Sequence, residues 1–392
     1  MTADDNRSLV RIALVTDTYT PQVNGVTTVV VRIANVLREF GHAVVVVAPR
    51  YPGHAAAGID ELRIPSAAFP PYPAIRLSMP QYGAVARFLD AFQPDVVHVA
   101  TEGPLGLMGR RYALRNRIPL VTSYHTNFPQ YARHYGAGTL EPLVWKWMRW
   151  FHRPAVLTQT PGDAVAAELK RRGIGNPIVW GRGVDTQHFH PGRRSVGWRR
   201  WLGGGDDTTI VLHVGRLAPE KNVDVLAEAW TAARERVGQR ATFCLAGDGP
   251  ERRRLLAKLP WVRQLGFLDR GRLADVYASA DICVLPSKTE TCGLVALEAM
   301  ASGLAVVAAD AGGFRESIIN GHSGVLIAPE DATGFAAEIL SLVIAPQRRQ
   351  DIAHAARTAA LARDVIPENL ELLQQYSAAA GLSAQGATSC AA

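Results

Sequence analysis

The chain predicts an α/β fold made of two tandem doubly wound parallel-sheet domains. Short apolar runs of strand length alternate with amphipathic runs of helix length, and the pattern that opens the chain restarts after a glycine-rich stretch near its middle. A third observation concerns ligands. Several strand-like runs end in glycine or polar clusters, and in an open parallel sheet the ligand crevice lies outside those carboxyl ends.

At 392 residues, 48% hydrophobic and 20% charged, the chain has the composition of an ordinary globular protein with two or three cores. No apolar run reaches the roughly 18 residues that span a bilayer, and Met1 to Arg7 is polar, so a cytoplasmic location is expected. Cys244, Cys283, Cys292 and Cys390 are scattered without a C-x-x-C pair and read as thiols in a reducing compartment. The net charge of +7 is unevenly placed: Arg110, Arg111, Arg115 and Arg117 crowd together, as do Lys170 to Arg172 and Arg193, Arg194, Arg199 and Arg200. Such runs are solvated faces or sites for an anionic surface; no nucleic-acid-binding motif accompanies them.

In chain order, Arg11 to Thr16 is a strand, Asp17 to Gly25 a loop, Val26 to Phe40 an amphipathic helix and Ala43 to Ala48 a second buried strand. Gly25 is a turn glycine or a point where backbone approaches a ligand. Pro65 to Pro80, rich in proline and aromatics and including Tyr72 and Arg76, predicts a binding loop at the ligand edge of the sheet. Val96 to Val99 and Leu120 to Ser123 are further strands, ending in Thr101-Glu102-Gly103 and in Tyr124-His125-Thr126-Asn127. His125 is a sugar-binding group or a loop cap. Between Leu140 and Val156, Trp145, Trp147, Trp150 and Phe151 interleave with Lys146, Arg149, His152 and Arg153. A helix there places Trp147, Trp150 and Phe151 on one face, as in an interfacial membrane helix or a packed helix with a basic rim. Strands at Ala155 to Thr158 and Ile178 to Trp180, with the helix Asp163 to Arg172 between them, complete a first domain over 1–195.

After Gly203 to Asp207 the plan repeats with the strand Thr209 to Gly215, the loop Arg216 to Lys221 and the helix Val223 to Val237. Strands at Phe243 to Ala246, Val262 to Leu265, Ile282 to Leu285 and Ala305 to Ala308 follow, giving a second domain over 196–363. Arg216 and Lys221 stand just past a strand end, where a guanidinium fork and an ammonium neutralise a diphosphate, or where a solvated pair flanks a helix start.

The most informative stretch is Ser287 to Gly303, S-K-T-E-T-C-G-L-V-A-L-E-A-M-A-S-G, in which Glu290 and Glu298 are separated by seven residues. The helix begins near Gly293 and Leu294, so its free amides and positive dipole end point into the loop that carries Glu290. An anion site between two hydroxyl-binding carboxylates matches a nucleotide-sugar; two glutamates that merely suit a helix dipole are the alternative. No G-x-x-x-x-G-K-[ST] occurs, no G-x-G-x-x-G follows the first strand, and no Asp-x-Asp is present. Those absences disfavour a phosphate-loop ATPase, a dinucleotide dehydrogenase and a metal-bridged nucleotide-sugar site.

Glu290 to Glu298, Val214-Gly-Arg-Leu-Ala-Pro-Glu-Lys221, Ala246-Gly-Asp-Gly-Pro250, Gly183-Val-Asp185 and Ala311-Gly-Gly313 together resemble the retaining glycosyltransferases of the family 4 type, over roughly residues 11 to 345. Pro21-Gln-Val-Asn-Gly-Val-Thr-Thr28, Tyr72-Pro-Ala-Ile-Arg-Leu77 and Tyr124-His-Thr-Asn-Phe128 are most similar to actinobacterial GDP-mannose-dependent α-mannosyltransferases of envelope glycolipid synthesis. The resemblance implies a GT-B fold, two Rossmann-like domains with a cleft between them. It implies that Arg216 and Lys221 hold the donor diphosphate beside Gly293 and Leu294, Glu298 the ribose and Glu290 the transferred sugar, with Gly25 near the phosphates and His125 near the anomeric carbon. Tyr72, Arg76, Trp147 and Trp150 fall to the acceptor and membrane side. The α configuration is retained, the departing phosphate assists acceptor deprotonation, and no metal or other cofactor is needed. The implied partners are GDP-mannose, a lipid acceptor and the inner face of the cytoplasmic membrane, with no nucleic acid. A UDP-sugar donor (glucosyl or sulfoquinovosyl) and a nucleotide-sugar-binding regulator without turnover are the competing readings. The chain departs from the family in having Cys292 where members often have Phe, and in lacking a tryptophan after Trp261 in the terminal helix expected over about 364–380 to pack on the first domain; a disordered tail is expected over 381–392.

Overall fold

The computed structural model describes residues 9–22, 24–53, 58–69, 72–125, 138–180, 183–205, 207–290 and 292–381. The chain divides into two compact units, Met1–Gly181 with Pro367–Ala392, and Arg182–Ile366.

In the first unit the strands are β1 (Arg11–Val15), β2 (Ala43–Pro49), β3 (Glu61–Ile64), β4 (Ser66–Phe69), β5 (Tyr72–Ser78), β6 (Val96–Val99), β7 (Leu120–Ser123), β8 (Leu157–Thr160) and β9 (Pro177–Val179). Seven of them form a parallel sheet of order β3-β2-β1-β6-β7-β8-β9. Ile12 to Val15 and Val44 to Val47 are buried without alternation because helices cover both faces of the sheet. The helix Gly25–Glu39 starts where Asn24 Oδ1 accepts from the Thr27 amide at 2.8 Å, and it buries Val30, Ile33, Ala34 and Leu37.

The stretch expected to be a loop at Pro65 to Pro80 is instead an antiparallel hairpin of β4 and β5. Proline is tolerated there because each strand of a two-stranded ribbon has a free edge; Pro70 and Pro71 lie outside the described residues. Arg76, on β5, donates to the Ser66 hydroxyl at 3.1 Å and to its carbonyl at 2.5 Å, across the ribbon.

The second unit holds β10 (Thr209–Val214), β11 (Ala241–Ala246), β12 (Arg263–Gly266), β13 (Ile282–Leu285), β14 (Ala305–Ala309) and β15 (Val325–Ile327), all parallel in the order β12-β11-β10-β13-β14-β15. Trp230, on the helix Val223–Val237, is among the largest fully buried side chains and packs on Phe243. The strand order reverses between β1 and β6 in one sheet and between β10 and β13 in the other, and those switch points are where a ligand crevice opens.

The last helix, Val365–Ala379, inserts Leu372 and Tyr376 into the first unit's core. A closed polar ring fixes its register: the Tyr376 hydroxyl meets His98 Nδ1, His98 Nε2 meets Ser123 Oγ at 2.7 Å, Ser123 donates to Gln159 at 3.3 Å, and Gln159 donates to Gln375 at 3.1 Å. Burial lowers the His98 pKa to about 3, so the ring is neutral and the chain of donors has one consistent direction.

The aromatic helix is Glu141–His152. Trp147 has both Trp150 and Phe151 within ring contact, as a shared face requires, but the three differ in burial. Phe151 is fully buried in the core that holds Met108 and Tyr112, whereas Trp147 and Trp150 are 39% and 48% exposed, with their rings 5.1 Å apart. Arg110 lies 3.9 Å over the Trp150 ring and donates to the Trp150 and Phe151 carbonyls.

Candidate active site

Two loops flank the second switch point, 215–222 after β10 and 286–293 after β13. They are sewn together through backbone. The hydroxyls of Ser287 and Thr289 donate to the Glu220 carbonyl at 3.3 and 3.2 Å, and Asn222 Nδ2 donates to the carbonyls of Pro286 at 3.4 Å and Pro329 at 2.7 Å. Serine, threonine and asparagine suit this because each satisfies a carbonyl that no strand or helix ladder reaches.

This stitching brings two of the expected residues into contact. The Lys221 ammonium donates to Glu290 Oε1, and both side chains keep some access to solvent. Arg216, on the same loop as Lys221, has its Nη1 3.7 Å from the buried Glu220 carboxylate. Burial lowers the Arg216 pKa and Glu220 raises it; an arginine stays cationic under both.

Glycines let the neighbouring backbone close on these loops. Gly247 has φ +131°, and a methyl there would lie 1.9 Å from the Gly215 carbonyl oxygen; one at Gly249 would lie 2.2 Å from that of Leu217. The Leu217 amide in turn donates to the Asp248 carbonyl at 2.9 Å. The A-G-D-G-P run is therefore the bed on which Arg216 and Leu217 rest. Gly312, with φ +51°, does the same for the other loop: its added Cβ would meet the Glu290 carbonyl oxygen at 2.1 Å, while the Gly313 amide donates to that oxygen at 2.9 Å. Gly312→Ala should displace the Glu290 loop, at a cost of about 1–3 kcal/mol and with turnover lost; thermal melts beside a rate assay check this, and a variant as active as wild type would refute it.

Gly293, φ +72°, opens the helix Leu294–Ala301, whose first-turn amides face the same loop. Glu298 lies one turn further along. Its carboxylate accepts from the Tyr277 hydroxyl at 3.4 Å, and burial raises its pKa to about 7 against the opposing pull of Arg270. Arg270 is held by Asp185 of the G-V-D motif at 2.9 Å. Tyr277, Arg270 and Asn222 escaped sequence reasoning, since each lies in an ordinary helix or turn pattern and only the packing brings it to the site.

In the first unit, His125 follows β7. Its Nε2 is buried and has no hydrogen-bond partner among the described residues, and burial lowers its pKa to about 4, leaving a neutral imidazole. Gly25 is the first residue of its helix, and a methyl added there meets nothing within 4 Å. At the first switch point Asp17 was also missed. It accepts from the Leu105 and Gly106 amides at 2.9 and 3.3 Å, so it caps the helix Pro104–Asn116, whose own cap residue Gly103 has no side chain. Glu102 is buried against His152 Nε2 at 3.3 Å. Tyr72 lies on β5, and its side chain, like residues 126–137, is outside the described set.

A family model described as Glycosyltransferase Family 4 matches residues 23–188, and one described as Glycosyl transferases group 1 matches residues 208–344. Over 379 residues the chain is 37% identical to a GDP-mannose-dependent alpha-mannosyltransferase of Mycobacterium tuberculosis (strain CDC 1551 / Oshkosh), covering 95% of this chain and 97% of that one. The chain is a glycosyltransferase of this family. The glycosyltransferase is also 34% identical over 333 residues to the sulfoquinovosyl transferase SQD2 of Arabidopsis thaliana, covering 82% of this chain and 64% of that one. Its fold is GT-B. Sucrose-phosphate synthase from Thermosynechococcus elongatus superposes with a TM-score of 0.77 at 20% identity, over 94% of this chain and 98% of that one. Anabaena HepE in complex with UDP superposes with a TM-score of 0.74 at 22% identity, over 94% and 100%. The two stitched loops of this glycosyltransferase thus lie at the switch point of its second GT-B sheet.

Proposed function

We propose that the enzyme moves an α-mannosyl unit from GDP-mannose to a membrane-associated lipid acceptor of envelope glycolipid synthesis, with retention and without a metal. The observation that carries this reading is the Lys221–Glu290 contact at the second switch point, on the loop that also carries Arg216. It joins a phosphate-binding cation to a hydroxyl-binding carboxylate, the two chemistries that a nucleotide diphosphosugar requires side by side. The mannose and the guanine are supported by the 37% identity to a relative of that stated specificity.

In the reaction the bond from the anomeric carbon to the phosphate oxygen breaks, and a bond to the acceptor oxygen forms on the same face. The acceptor proton passes to the departing phosphate, whose growing charge Arg216, Lys221 and the amides at Gly293 and Leu294 stabilise. The sugar hydroxyls take over Glu290, and Glu298 receives the ribose diol. His125 supplies a neutral ring nitrogen to the sugar, and Gly25 leaves room for a phosphate. Gly25→Ala should then leave the fold intact, or more stable by about 0.5–1 kcal/mol, while weakening GDP binding; unchanged binding in calorimetry would remove Gly25 from the site.

Among the described residues no helix is long and apolar enough to cross a membrane. The exposed Trp147 and Trp150, with Arg110 over the Trp150 ring, support a peripheral contact with an anionic bilayer at the inner face of the cytoplasmic membrane. The test is a transfer assay on membrane extracts with GDP-mannose, UDP-glucose and UDP-sulfoquinovose, each with and without EDTA. Mannosyl product from GDP-mannose, insensitive to EDTA, is expected. Turnover only with a UDP donor would transfer the reading to a UDP-sugar lipid glycosyltransferase. The double variant Trp147→Ala, Trp150→Ala should lose binding to phosphatidylglycerol liposomes and keep GDP binding.

A further inference from the structure

His213 is the next-to-last residue of β10, and it is 2% exposed directly at the switch point. Its Nδ1 lies 2.8 Å from the Val284 carbonyl oxygen on β13, which only accepts, so Nδ1 carries the ring proton and Nε2 carries a lone pair. That lone pair is buried and has no hydrogen-bond partner among the described residues. It does not face inert core. A methyl added to Gly215, the residue before Arg216, would lie 3.5 Å from Nε2, and the two charged side chains that act on the ring are Lys221 and Glu290. An orphaned buried acceptor costs about 1–3 kcal/mol, and the fold itself, which uses only Nδ1, has no need of it.

Lys221 has three N–H donors and spends one on Glu290. When the diphosphate of the nucleotide draws the ammonium away from Glu290, its remaining donors need acceptors on the protein side. We propose that His213 is a positioning residue of the donor site: its Nε2 receives a hydrogen bond from Lys221 in the nucleotide-bound enzyme, and so fixes the ammonium on the diphosphate. This rests on the donor-site reading above. It predicts that the free enzyme keeps the acceptor empty and that the bound enzyme fills it.

The experiment uses the full chain labelled with ¹⁵N-histidine, with GDP as the probe and calorimetry on the same samples. On saturation with GDP the pyridine-type Nε2 resonance of His213, assigned by its loss in His213→Gln, should move upfield as it accepts a hydrogen bond. In Lys221→Ala, at GDP concentrations that calorimetry shows to be saturating, it should stay in place. GDP binding without movement of that resonance would overturn the inference and leave the donor site standing; absence of any GDP binding would overturn both.

Two substitutions separate positioning from packing. In His213→Gln the amide oxygen can stand where Nε2 stood, and GDP affinity should stay within about threefold of wild type. In His213→Asn the Val284 bond is kept and the acceptor is lost, so affinity should fall about tenfold, the loss of one hydrogen bond of about 1.4 kcal/mol. His213→Phe, which also lacks the acceptor, should lose affinity to the same extent. A residue that only packs would give a lower melting temperature with GDP affinity unchanged, and that result would overturn the proposal.

Discussion

Glu290→Ala should lower the turnover number by about 10²–10³-fold, the scale seen when a group that acts on the reacting centre is removed, while affinity for free GDP holds or rises a few-fold. The asymmetry follows from geometry. Glu290 is the partner of the Lys221 ammonium, so removing it deletes the acceptor for sugar hydroxyls and releases the cation to the diphosphate. Lys221→Ala should lose both, because the diphosphate forfeits a charge-assisted bond of about 1.5–3 kcal/mol and Glu290 is left without its counter-charge. Single-turnover rates and GDP calorimetry on the two variants decide the matter. Loss of GDP binding in Glu290→Ala with turnover preserved would exchange the assigned roles.

Glu298→Gln should produce the second large effect, and pH gives it a sign. Burial lifts the folded-state pKa from 4.5 to about 7, so the folded protein holds more protons than the unfolded chain between those values. Stability therefore falls as pH rises through that window and levels off above pH 7. Glutamine removes the slope. The variant should match wild type near pH 4.5 and exceed it at pH 8 by on the order of 2–3 kcal/mol, read from urea titrations. Binding runs the other way. Ribose hydroxyls donate to an ionised carboxylate, so wild-type GDP affinity should rise with pH through 7, and Glu298→Gln should be flat and about tenfold weaker at pH 8. A variant that gains stability yet binds GDP as wild type does would take Glu298 out of the nucleotide site.

Much of this architecture is legible in the sequence because parallel sheets covered on both faces write themselves as unbroken apolar runs, such as Val44 to Val47 and Ile282 to Leu285. What failed was the reading of segments whose partners are distant. The run Pro65 to Pro80 looked like a loop because its prolines deny it a central strand, and only the pairing of Ser66 with Ser78 makes it a ribbon. Phe151 shares a face with Trp147, yet helical spacing alone does not say where a core begins; the packing against Met108 and Tyr112 does.

The site divides along the same line. The sequence by itself determined the residue types at the strand ends: Arg216 and Lys221 after one strand, Glu290 and Glu298 after another, and glycines at Gly247, Gly293 and Gly312, because local chemistry demands them wherever the chain turns. Tertiary structure alone decided that the strands carrying them, separated by some 70 residues of chain, are neighbours at a reversal of strand order. That neighbourhood puts the Lys221 ammonium on Glu290, lifts the Glu298 pKa by burial, and leaves one His213 nitrogen without a partner among the described residues. The physical reason is that contact, burial and unpaired lone pairs belong to arrangements of side chains in space, which no linear spacing encodes.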